Sequence, residues 1–136
     1  KCLNLLSPDG IVLIETPNTD SLDYYMLKKR HWGGYHAPRH WYLFNIKTFR
    51  HLAKRLHAEI IAFGNYNTGV FWNWSCHSIC TALLGKKIAD RLFPPITIFF
   101  GGLQSFIILN VFFIIEKITS MMSNRANAMW IVLRKH

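Results

Sequence analysis

The chain has 136 residues, 51% of them hydrophobic and 15% aromatic, which is enough for one core and too apolar for a disordered segment. Its 16 Lys and Arg against 7 Asp and Glu give a formal charge of +9, which favours an anionic neighbour. The cations fall in short clusters with no nucleic-acid motif, and three irregularly spaced cysteines argue against a disulfide framework and for a reducing, cytoplasmic setting.

The chain opens Lys1-Cys2-Leu3, without Met or a signal-peptide pattern, and is expected to be a piece of a longer protein. Ser7-Pro8-Asp9-Gly10 reads as a turn. Ile11-Val12-Leu13-Ile14 then gives the continuous β-branched run of a buried strand, ended by Glu15-Thr16-Pro17-Asn18. In open α/β sheets ligands gather at the carboxyl ends of strands, which brings Thr16 and Asn18 forward as substrate contacts. Turn formation and capping are the plainer roles for both. Thr19 to Arg30 carries Leu22, Tyr25, Met26 and Lys29 at helical spacing, with Asp20 or Ser21 as N-cap.

Residues 31–45 break every period: three histidines, Arg39, Gly33-Gly34, Pro38 and several aromatics crowd a loop between helical segments. Such a loop is where a site is expected. His36 and His40 are the candidate catalytic bases, Arg39 a fork for an anionic group, and Tyr35 and Trp32 candidate substrate walls. Bracing of the loop through backbone carbonyls is the alternative role for His40 and Arg39.

Asn45 caps the clearest amphipathic helix, with Phe49, Leu52, Ala53 and Leu56 on one face and His51 among the solvated positions. Ala58 to Tyr66 reads as a second strand, which makes a right-handed βαβ unit with the first. Val70 to Leu84 reads as an apolar helix. Its Cys76, His77 and Cys80 lack the spaced second pair of a structural zinc site, and no metal is expected there or among His31, His36 and His40. Leu92 to Ile115 contains no charge, but Pro94-Pro95 and Gly101-Gly102 interrupt it, and strands on both sides would share one sheet. A helical lid or interfacial element is therefore favoured over a membrane span. Ala128 to Leu133 is the third strand. The chain thus divides into 1–69 (strand, loop, helix, strand), 70–123 (apolar helical insertion) and 124–136 (final strand).

Leu5-Leu6-Ser7-Pro8-Asp9-Gly10-Ile11-Val12-Leu13-Ile14-Glu15-Thr16-Pro17-Asn18 resembles the turn and fifth strand of class I S-adenosylmethionine-dependent methyltransferases. Tyr35-His36-Ala37-Pro38-Arg39-His40-Trp41-Tyr42-Leu43-Phe44 resembles a loop of a small-molecule branch of that family. The resemblance is loosest over 71–123. It implies an α/β, Rossmann-like fold of which this chain is the C-terminal part, its strands equivalent to the fifth, the sixth and an antiparallel seventh lying between them. Asp9 stands where glycine is usual, and Leu56-His57-Ala58 stands where the family has Ala-Gly-Phe, so the usual left-handed helix cap is missing.

No Gly-x-Gly occurs anywhere in the chain. The resemblance therefore implies that the S-adenosylmethionine site lies upstream of Lys1, that this chain is the substrate-side portion of the enzyme and inactive alone, and that its first strand shows a bare edge. The expected acceptor is a small molecule or a lipid-linked one, with peripheral contact at the membrane surface left open and nucleic acid not expected. The alternative function is a membrane-associated, non-enzymatic module that uses the apolar segment 70–115.

Overall fold

Three strands form where apolar, β-branched residues run between turn signals: β1 (Ile11–Pro17), β2 (Ala58–Tyr66) and β3 (Ala128–Lys135). The computed structural model describes residues 5–35, 40–96 and 102–135, an α/β arrangement of one sheet and five α-helices. The sheet order is β1-β3-β2, with β3 antiparallel to both neighbours. The strand that comes last in sequence thus lies in the middle, as the sequence reading expects. β1 runs past Ile14 to Pro17, whose missing N–H is tolerated at the end of an edge strand. A register shift between Ile60 and Ala62 marks a bulge in β2.

The helix α2 (Ile46–Arg55) covers one face. Asn45 and Thr48 close its N-terminus with a reciprocal capping box: the Thr48 N–H donates to Asn45 Oδ1 and the Asn45 N–H to Thr48 Oγ1, each at 2.9 Å. Phe49 and Ala53 pack on Met129, Ile131 and Leu133 of β3, with Ile14, Phe44, Leu52 and Ile60 around them. Burying Phe49 alone is worth roughly 2–3 kcal/mol. The sequence reading has no left-handed residue after α2, yet His57 adopts that conformation, with φ 50°. The turn into β2 requires the shape, and histidine is among the non-glycine residues that tolerate it.

The remaining helices are α1 (Leu22–Leu27), α3 (Val70–Leu84), α4 (Lys86–Leu92) and α5 (Leu103–Ser123). The helix expected over Thr19 to Arg30 is thus shorter, and its orientation differs from the apolar spacing: Tyr25 and Met26 face outward while Asp23 is fully buried. The uncharged segment is not one helix. α4 ends at Leu92, and α5 starts after Gly102 and continues beyond Glu116. By length and composition α5 is able to cross a membrane, and 11% of its most apolar window is buried. A Cβ on Gly69 would lie 2.4 Å from the Leu109 carbonyl oxygen, which is how closely the start of α3 approaches α5.

Candidate functional site

The carboxyl ends of β1 and β2 and the start of β3 meet at one end of the sheet, where buried asparagines join them. Asn18 Nδ2 donates to the Ala126 carbonyl at 2.9 Å, and its Oδ1 accepts from the Asp20 N–H at 3.0 Å. Asn127 clasps Thr68: its Nδ2 donates to the Thr68 carbonyl at 2.8 Å, and its Oδ1 accepts the Thr68 N–H at 3.1 Å. Thr16 is buried, and its hydroxyl donates to the Pro17 carbonyl at 3.4 Å. Of the residues singled out by sequence, Thr16 and Asn18 stand at the expected strand end with their polar atoms committed to the protein.

The loop after α1 is stitched to the helices. Gly33, within a 3-10 turn at Gly33–Tyr35, donates its N–H to Ser75 Oγ at 2.8 Å, and His31 Nδ1 lies 2.9 Å from Ser78 Oγ. Trp32 is buried among Tyr24, Tyr35 and Phe71, with ring centroids 4.8, 5.4 and 6.1 Å away, and its indole N–H donates to Asp23 Oδ2 at 2.8 Å. Trp32 thus braces the loop from inside. The Tyr35 hydroxyl donates to the Lys28 carbonyl, and burial together with the Tyr24 phenol pushes its pKa above the ordinary value. At the far end of the loop Phe44 bridges to Asn18, and its carbonyl accepts the Thr19 N–H at 2.9 Å, which roots the loop at the carboxyl end of β1. His40 is half-buried, and beside it Trp41 and Tyr42 are exposed. His36 and Arg39 lie outside the described residues.

Two buried carboxyls were not singled out by sequence. Asp23 is raised in pKa by burial, which the nearby Ser21 and Trp32 donors oppose. Glu116, 1% exposed, accepts from Trp72 Nε1 and from the Asn127 N–H, each at 2.8 Å. Burial, reinforced by the Asp23 charge, pushes its pKa up to about 7 against the pull of these donors. Both oxygens of Glu116 are thus held by the protein, and the carboxyl ties α3 and α5 to the end of the sheet. Its signal in the sequence was an acid standing in an apolar run.

Among the surface clefts of the described residues, two border β2 and its carboxyl end. One of about 230 Å³ lies where β2 passes into α3, lined by Asn67, Thr68, Gly69, Leu109, Asn110 and Phe113. The other, about 680 Å³, lies between α2 and β2, with Arg50, Lys54 and His57 above Ile60 and Phe63. Among the described residues no group of three His, Cys, Asp or Glu is placed to hold a metal ion. His77 instead bonds Asp90 Oδ1 at 2.9 Å.

Comparison with protein-family models, curated proteins and solved structures gives no match. The amide of Asn18, the hydroxyl of Thr16 and the indole of Trp32, the candidate substrate contacts, all bond the protein itself.

Proposed function

We propose that this chain is the acceptor-side portion of an S-adenosylmethionine-dependent methyltransferase acting on a small-molecule or lipid-linked acceptor, with the donor held by residues upstream of Lys1. The observation that carries the reading is the position of β3, between β1 and β2 and antiparallel to both. This is the arrangement that the resemblance implies for the fifth, seventh and sixth strands. The loop rooted by the Asn18–Phe44 bridge supports the reading, because it leaves the same strand end where α/β sheets bind ligands.

In this proposal His36 or His40 takes the proton of the acceptor nucleophile, and Arg39 holds an anionic group of the acceptor through its planar fork. Trp32 and Tyr35 shape the loop, and Thr16 and Asn18 fix the strand end beneath it. A non-enzymatic membrane module is the second reading, favoured by the outward apolar side chains of α5.

The test uses the protein carrying its upstream sequence and measures methyl transfer and donor affinity. His36→Ala, His40→Ala and Arg39→Ala are expected to lower turnover, by about a hundredfold for the residue acting as base, with donor affinity nearly unchanged. Unchanged turnover in all three, or an upstream sequence without a glycine-rich turn, overturns the reading.

A further inference from the structure

Unlike a helix that packs in water, α5 carries large apolar side chains outward as well as inward, where Ile108, Leu109, Phe112 and Ile115 are half-buried. Leu103, Phe106, Ile114, Ile118 and Met121 point outward, each more than half exposed, whereas Ser105 and Glu116 are buried against the rest of the protein. Three exposed polar residues interrupt the run, and Gln104 donates its amide to the Arg91 carbonyl at 2.7 Å. Asn110 folds its amide back on the Phe106 carbonyl at 2.8 Å, and Lys117 has a stem long enough to carry its charge to the rim. The neighbouring helices continue the pattern: Leu83, Leu84, Ile88 and Leu92 are exposed while Asn73 and Ser75 are fully buried. A soluble surface rarely gathers so many large apolar side chains without a covering.

We propose that this face of α4 and α5 docks on an anionic lipid bilayer, with α5 lying in the interface rather than crossing it. Charge decides the kind of covering. Between residues 70 and 125 the sequence has five cations (Lys86, Lys87, Arg91, Lys117, Arg125) and two carboxylates. Glu116 is buried, and Asp90 is matched by Lys86 and His77. Arg125 lies 3.9 Å from Asp20, so this stretch offers apolar side chains and the cations Lys87, Arg91 and Lys117, with no unmatched anion between residues 70 and 125 among the described residues. A second copy of the chain would bring Lys87 and Arg91 toward their own equivalents across a two-fold axis. Acidic headgroups match both charge and apolarity.

Glu116 also sets the depth. Its bonds to Trp72 and Asn127 hold the last part of α5 against the sheet end. What remains, Leu103 to Ile115, is about 20 Å long at the helical rise, short of the roughly 30 Å of a hydrocarbon core. This inference does not rest on the methyltransferase reading and stands or falls separately.

The test is co-sedimentation of the chain with phosphatidylcholine vesicles with and without phosphatidylglycerol, with circular dichroism to establish folding. The folded chain is expected to bind the phosphatidylglycerol vesicles, less so in high salt, and to leave them in an alkaline carbonate wash. Lys87→Gln with Arg91→Gln is expected to weaken binding about thirtyfold. Phe106→Ser with Ile114→Ser, at exposed positions, is expected to weaken it at least about tenfold. Any of three results overturns the proposal: no binding by the folded chain, binding that both double variants retain, or retention after the carbonate wash. So does a concentration-dependent dimer that Phe106→Ser with Ile114→Ser abolishes in a chain that ignores vesicles.

Discussion

Glu116 makes stability depend on pH in a direction unusual for a carboxylate. Its folded pKa of about 7 lies above the unfolded value of 4.5, so the folded state holds the proton more tightly. The stability tied to that proton is complete below pH 4.5 and is lost as pH rises through 7. The difference is roughly 3 kcal/mol. Glu116→Gln, which carries no charge to desolvate, is expected to melt close to wild type at acid pH and above it at pH 8. Parallel thermal melts across that range measure this. His57 makes a simpler case. A left-handed conformation at φ 50° costs a residue with a Cβ roughly 1 kcal/mol, so His57→Gly is expected to raise the urea midpoint modestly. Sequence located this position through the missing glycine; that the backbone takes the shape regardless shows the turn into β2 to be the stronger constraint.

At the level of elements, legibility followed the direction of burial. β2 begins and ends where the sequence reading puts it, although it leaves Ile61 and Phe63 exposed, and α2 follows its cap and buries Phe49 and Ala53, two of the residues that set its period. The orientation of α1 and α5 was not legible, because both turn polar residues inward, Asp23 in one and Ser105 and Glu116 in the other. A hydrophobic pattern shows that a helix has two faces; it does not say which faces the protein. The site was legible in the same partial way. The position of Thr16 and Asn18 was readable because they end a strand, while Asp23 and Glu116 are lone acids with no motif around them. The loop-to-helix junction is where a single methyl group has the most leverage. A Cβ on Gly33 would lie 2.1 Å from the Phe71 carbonyl oxygen, a backbone atom that no rotamer change can move. Gly33→Ala is therefore expected to cost about 1–3 kcal/mol by chemical denaturation and to loosen protection of the Gly33 amide in hydrogen exchange.

Across the whole molecule, one sheet carries its core under α2 and leaves Ile11 and Leu13 more than half exposed on the opposite face of β1. Among the described residues no strand pairs with the outer edge of β1. An unpaired, apolar edge invites other chains. Leu13→Lys is expected to shift sedimentation of the isolated chain toward monomer without lowering its melting temperature. The central place of β3 has a consequence for how the molecule is made. β1 and β2 pair with β3 and not with each other, so the ribosome releases both before either can find its neighbour. Until the final strand is translated, the nascent polypeptide holds two unsatisfied ribbons. It is in that interval that a chaperone has the most to protect.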